Sequence, residues 1–205
     1  MLVTFVTAFL VPMVLSVDDY GYYKVYTFYA AYIGIFHFGY CDGIYLDYGG
    51  RNEDEIETEK ISQQFATIFI FSVGLAFIAS LWGILRHDFT IVCLGLTVVP
   101  NIVYTFYSYV YQATGDFKKY ARMLNLSMLF NLLMNTILIF LKVRDYRVYI
   151  IVCIIVQLIS FLVGTFYFKQ SGWIRKSSFS FDVLMKYIKM GILLMLGNFA
   201  YTFFI

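Results

Sequence analysis

About seven apolar runs, each near the length needed to cross a bilayer, decide what this chain can become. A hydrocarbon core of about 30 Å calls for about 20 apolar residues of helix. The runs lie at about 1–16, 20–40, 62–84, 89–111, 120–141, 148–168 and 183–205. Between them stand short polar connections: "SVDDYG", "CDGIYLDYGGRNEDEIETEK", "LRHD", "QATGDFKK", "KVRDYR" and "KQSGWIRKSSFSFD". Backbone groups in lipid must be satisfied internally, and runs this long read as helices rather than barrel strands. Hydrophobic residues make up 61% of the chain and charged residues 14%, against roughly 45–50% and 25% in soluble domains. Too few polar residues remain to clothe a soluble core. The fold class is therefore an all-α integral membrane protein.

The same composition excludes several functions. A net charge of +2 is uninformative about nucleic acid, but no basic run interleaved with aromatics occurs, so no nucleic-acid partner is expected. Cys41, Cys93 and Cys153 are widely spaced and lie in or beside apolar runs, with no disulfide or metal-ligand spacing. His37 and His87 are isolated, so no metal site or other cofactor is expected. No nucleophile elbow, P-loop or Ser/His/Asp grouping occurs, and the short connections leave no room for an extramembrane catalytic domain. The chain does not read as an enzyme.

Orientation follows from the basic residues. With residue 1 at the cytoplasm, Lys24, Arg86, Lys142, Arg144 and Arg147 fall outside and the other ten of the fifteen Lys and Arg fall inside. The excess of positive charge inside favours that start. The acids from Glu53 to Glu59 are then cytoplasmic, a solvated face ahead of the third run, where the helix dipole favours them. Residues 177–190 mix apolar residues with Lys186 and Lys189, as suits a helix entering from the cytoplasmic surface. The first run is short and the last stops without a polar flank, so the expectation is the front part of a longer transporter.

Several residues stand out within the runs. Pro12 and Pro100 are expected inside helices, where a proline removes a backbone bond and makes a static bend or a hinge. Tyr22, Tyr26 and Tyr29 share one helical face, as do Tyr104, Tyr107 and Tyr111. Such stripes suit either a path for sugar rings or an interfacial aromatic belt. Asn131 and Asn135 sit at i and i+4, with Asn125 nearby; they fit hydrogen bonds between helices or a wet cavity. His37 reads as a neutral packing residue, with proton coupling as the sharper alternative.

The stretch "SVDDYGYYKVYTFYAAYIGIFHFGYCDGIYLDYGG" carries a resemblance. An acid-x-Tyr-Gly turn is matched by Asp18 or Asp19 with Tyr20 and Gly21. An aromatic helix then ends in a Gly-x-x-Asp-Gly turn (Gly39, Asp42, Gly43), followed by a Tyr-Gly-Gly tail (Tyr48, Gly49, Gly50). In order and spacing these resemble the Wzx-type O-antigen and capsule polysaccharide flippases of the multidrug/oligosaccharidyl-lipid/polysaccharide (MOP) exporter superfamily. "YQATGDFKKYARMLNLSMLFNLL" and "FSFDVLMKYIKMGILLMLGNFAYTFF" are similar to that family's helix four-to-five connection and the start of its second half. Asp47 departs from it, standing where relatives often carry a basic residue.

The resemblance implies a MATE-like transporter of two six-helix bundles in the bacterial cytoplasmic (inner) membrane. Residues 1–176 would form the N-terminal bundle and 177–205 the truncated start of the second. The implied function is translocation of undecaprenyl-pyrophosphate-linked oligosaccharide by alternating access. Membrane lipids, a coupling H+ or Na+ and an associated polysaccharide polymerase are the other implied partners. Lys24, Arg51 and Arg122 are the expected cationic contacts for the pyrophosphate, and Tyr26, Asn131 and Asn135 the polar ones. Asp42, Gly43, Gly49 and Gly50 are expected to form a tight cytoplasmic turn at the cavity mouth, competing with the plainer reading of a connector. The runner-up is a cation-coupled multidrug exporter, disfavoured because every acid is expected at or beyond a span end. A membrane-embedded polymerase or acyltransferase is a third reading.

Overall fold

The computed structural model describes residues 9–204, with side chains described for residues 9–200. Every regular element among them is helical. The long helices are α1 (Val17–Tyr32), α2 (Tyr40–Tyr48), α3 (Thr58–Leu85), α4 (Phe89–Ala113), α5 (Phe117–Phe140), α6 (Tyr146–Gln170) and α7 (Phe181–Phe204). Helices α3 to α7 are each long and apolar enough to cross a bilayer. Their outward faces carry residues such as Phe77, Leu85, Leu133, Phe140 and Phe166, all largely exposed. Such faces fit lipid and not water. This is a multi-pass membrane protein.

Three corners share one construction, and the residues at each explain it. At the end of α3, His87 takes a left-handed conformation (φ 53°), and the Asp88 amide bonds back to the Gly83 carbonyl at 3.0 Å. Asp88 then caps α4, its carboxylate accepting from the amides of Thr90 and Ile91. Gly115 (φ 73°) and Asp116 repeat this between α4 and α5, and Lys142 (φ 53°) and Asp145 between α5 and α6. A left-handed residue closes one helix and an aspartate opens the next. The polar connections "LRHD", "QATGDFKK" and "KVRDYR" are these devices.

Helix α4 is central, touching α1, α2, α3, α5 and α6. It meets α3 closely because both helices are small at the contact. A side chain on Gly83 would strike the backbone at Ile91 and Val92, and one on Gly95 would strike Ser80. Near the α4 C-terminus an aromatic core forms. Tyr107 packs on Phe168 with ring centroids 4.7 Å apart, and Tyr111 stacks on Trp173 at 5.8 Å. The Tyr104–Tyr107–Tyr111 stripe is thus mostly core, its last two rings fully buried, and offers no open path for a sugar.

The expected run at 20–40 is not one helix. Helix α1 tightens into a 3-10 segment, Ile33–His37, and then breaks where Phe38 (φ 51°) and Gly39 (φ 82°) are both left-handed. Helix α2 resumes at once. Together the pieces run from one end of the bundle to the other. Tyr22 stacks on Tyr146 at 5.1 Å, while the Gly50 amide reaches the Ala113 carbonyl at 3.3 Å. The break lies at mid-depth, with the Phe38 ring 6.2 Å from that of Phe71, in the middle of α3.

Two expectations need correction here. Asp42 and Gly43 do not form a turn; they lie inside α2, packed against α7. Gly43 and Gly191 leave no room for a Cβ between the two helices, Gly43 facing the Tyr187 carbonyl and Gly191 the Gly39 carbonyl. That tertiary contact keeps a glycine- and acid-rich stretch helical. Gly49 and Gly50 do end the helix, Gly50 with φ 82°. Pro12 lies in a three-residue 3-10 turn, Val11–Met13, rather than inside an α-helix, whereas Pro100 is inside α4 as expected. The first half of the run at 1–16 lies outside the described residues.

Candidate functional site

The break places polar side chains in the middle of an apolar bundle. Asp42, three residues past the left-handed Gly39, is 1% exposed. Its Oδ1 accepts from Asn198 Nδ2 of α7 at 3.3 Å, and its Oδ2 has no hydrogen-bond partner among the described residues. His37 Nδ1 stands 3.8 Å from Oδ2. That nitrogen accepts the Gly39 amide at 3.1 Å, so the imidazole is neutral with its proton on Nε2. The expectation that every acid lies at or beyond a span end therefore fails for Asp42, because the chain continues as helix beyond the break. A cavity of about 260 Å³ opens beside this group, bordered also by Thr105 and Tyr109.

A second polar cavity of about 260 Å³ adjoins the first across Ala31 and lies among α1, α4, α5 and α6. Tyr26, Asn101, Asn131 and Gln157 line it. Tyr26 is buried, its hydroxyl 2.9 Å from Thr97 Oγ1. Asn135 donates to the carbonyl and side-chain oxygens of Asn131, at 2.8 and 3.0 Å, so the pair orients one amide toward the cavity. Three of the six expected contact residues thus come together. Tyr22 and Tyr29 do not join Tyr26; they face outward toward a third cavity.

The three expected cations lie elsewhere. Lys24 is exposed over the Tyr20 ring at 5.3 Å, and Arg122 is exposed on α5. Arg51 is tied to Asp47 at 3.4 Å. Asp47 also pairs with Lys60 at 2.7 Å and accepts from the Tyr187 hydroxyl at 2.7 Å. Gln64 continues that network, accepting from Tyr48 and donating to Tyr187, both at 2.6 Å. The acid that departs from the flippase pattern is thus the lock joining α2, α3 and α7 at this end.

Nearby, Lys119 bridges Glu53 at 2.7 Å and Asp116 at 3.1 Å. Burial, only partly offset by Lys119, lifts the Glu53 carboxyl above the usual range. Burial acts the same way on Asp116, but the Lys119 amide, the shared bond with Glu53 and the Lys119 ammonium outweigh it and hold Asp116 low. Glu53 is therefore part of a loop-to-loop ion pair and not merely a solvated acid.

At the opposite end of the bundle lies the third cavity, about 720 Å³. Tyr22, Tyr29, Tyr146, Arg86, Arg147 and Asp88 line it. Arg147 lies over the Phe89 ring at 5.7 Å, and Arg86 over Trp82 at 4.9 Å. Two guanidinium groups beside three phenols can take an anion and a sugar face together. These arginines were not singled out in the sequence. The pairing of basic and aromatic residues in "LRHDF" and "DYRVY", two connections on one side, was the available signal.

Among the described residues no group of three or more His, Cys, Asp or Glu is placed to hold a metal. No family model, curated protein or solved structure matches this chain.

Proposed function

We propose that this chain is the leading bundle of an alternating-access carrier of the polysaccharide flippase type. It would move an undecaprenyl-pyrophosphate-linked oligosaccharide across the bacterial cytoplasmic membrane and work with a second, MATE-like bundle. The observation that carries the reading is the discontinuous helix α1–α2, broken at mid-depth beside two adjoining polar cavities. Repeat-built carriers place their sites at such breaks, where freed backbone and polar side chains face a cavity. The substrate class is supported by the groove of Arg86, Arg147, Tyr22, Tyr29 and Tyr146. A pyrophosphate needs cations, and a sugar ring needs flat apolar faces with hydroxyls at their edge.

The test is export from cells. Arg86→Gln with Arg147→Gln is expected to cut surface polysaccharide at least several-fold, with lipid-linked repeat units accumulating inside and protein abundance unchanged. Lys24→Gln with Arg122→Gln, which border neither polar cavity nor the groove, serves as the comparison. Undiminished export in the first pair removes the groove from the substrate path. The buried carboxylate of Asp42 favours one second reading, a cation-coupled drug exporter of the same superfamily. Deletion would then raise sensitivity to cationic drugs and leave surface polysaccharide intact.

A further inference from the structure

The outward face of α3 and α4 carries a groove. A cavity of about 460 Å³ lies along the two helices and is bordered at mid-depth by Phe36 of the 3-10 segment Ile33–His37. Leu75, Trp82 and Leu85 line it from α3, and Ile91 and Val98 from α4; every lining residue is apolar. Trp82 and Leu85 are both more than half exposed, so the groove opens toward lipid. From Leu75 to Leu85 the helix rises about 15 Å, half of the roughly 30 Å of a hydrocarbon core. The groove therefore starts at one end of the bundle and stops at its middle.

Its outer end carries charge. Ile91 borders both this groove and the cavity of Arg86 and Arg147, so the two spaces meet there. The Arg86 guanidinium lies 4.9 Å from the ring of Trp82, a wall of the groove itself. Arg147 lies over the Phe89 and Tyr146 rings at 5.7 and 5.9 Å. Neither guanidinium comes within 4.0 Å of a carboxylate among the described residues. Asp88 lines the same cavity, but its Oδ1 already accepts the Thr90 and Ile91 amides. Aromatic faces thus hold two arginines in place without an acidic partner.

We propose that this continuous surface binds one anionic glycerophospholipid, with its phosphodiester on Arg86 and Arg147 and one acyl chain along the α3–α4 groove. The depth of the groove selects the occupant. A chain that enters from the headgroup layer and ends at mid-bilayer needs one leaflet's length, whereas a packed transmembrane helix needs a face running the whole way through. A free phosphate would leave the apolar half unfilled. A zwitterionic lipid would bring an ammonium that the arginines repel. Two basic residues at headgroup level favour a negative lipid, and Trp82, one turn from the end of α3, stands where indoles mark the interface. The site does not depend on the carrier reading. Under that reading, phospholipid and substrate pyrophosphate compete for the same arginines, and the lipid composition of the membrane regulates export.

The test uses the chain's own fluorescence, because Trp82 is one of only two tryptophans and Trp173 is buried. The purified full chain is placed in phosphatidylcholine nanodiscs containing a small share of phosphatidylglycerol or phosphatidylcholine brominated at mid-chain, and quenching is read. The Trp82→Phe variant supplies the Trp173 background. Brominated phosphatidylglycerol is expected to bind at Trp82 at least about fivefold more tightly than brominated phosphatidylcholine, the value of one basic residue near an anionic headgroup. Arg86→Gln with Arg147→Gln is expected to erase that preference while leaving the weak quenching by both lipids. If the double variant does not fold, as judged by gel filtration, Arg86→Gln alone decides, with a preference several-fold smaller. Equal quenching by the two lipids would make the groove ordinary lipid-facing surface and overturn the site, as would a preference that survives loss of the arginines. A preference abolished by a trace of undecaprenyl phosphate would assign the groove to the isoprenoid carrier and overturn the phospholipid assignment. Selective binding in a chain that exports no polysaccharide leaves the lipid site standing and sinks the flippase reading.

Discussion

Lys142 occupies a left-handed backbone position at an exposed corner, with φ 53°. That conformation costs an L-residue roughly 1–2 kcal/mol and costs glycine almost nothing. Gly115 and Gly172 show what the same position accepts at other helix ends. Lys142→Gly is therefore expected to stabilise the protein by about 1 kcal/mol, offset slightly by the greater freedom of the unfolded chain. Thermal unfolding in detergent would register it as an upward shift of a few degrees, and no shift would mean the corner is not held as described. At this scale much was legible beforehand. Asp88, Asp116 and Asp145 stand where polar residues interrupt apolar runs, and each proves to be a cap. The environment of Asp42 was not legible, because its partner Asn198 lies 156 residues away and nothing local announces the pairing.

Glycines set the distance between elements, and two of them in α7 make a controlled pair. A Cβ on Gly191 would run into the Gly39 carbonyl and the Gly43 amide, whereas one on Gly197 meets nothing within 4 Å. Gly191→Ala is expected to push α7 off α2 and cost about 1–3 kcal/mol, as overpacking does. Gly197→Ala is expected to be neutral or to stabilise by up to about 1 kcal/mol through helix propensity. Equal unfolding temperatures for the two variants would contradict the packing. The same contact explains why the second run is not one straight helix with a turn at its end. Glycine beside aspartate ordinarily marks a turn, and "CDGIYLDYGG" carries that local signal. With α7 laid against it, the glycines become the contact face of a helix, and the break moves to Phe38–Gly39, where no proline advertises it.

For the whole molecule, the two groups of basic residues separate as the sequence count required. Lys119 joins Glu53 and Ser171 at one end, where Lys60 pairs with Asp47, while Arg86 and Arg147 line the cavity at the other. Length and apolarity were enough to foresee the five long helices; how many crossings exist was harder, because a broken helix fails any simple measure of an apolar run. Cys41 and Cys93 are buried but Cys153 only partly so, so single cysteines introduced at Glu55 and Arg144 in a Cys153→Ser background should report topology cleanly. A membrane-impermeant thiol reagent added to intact cells is expected to label the residue at 144 and spare the one at 55; the reverse pattern would invert the bundle.

The pairing of Asp42 with Asn198 also has a consequence for biosynthesis. At about 5–20 residues per second, the 156 residues that separate them take the ribosome roughly 8–30 s to make. Throughout that interval the nascent chain carries an unmatched acid on a segment already leaving the translocon. The bond from Asn198 to Asp42 Oδ1, and with it the contact that holds α2 against α7, forms only when α7 arrives.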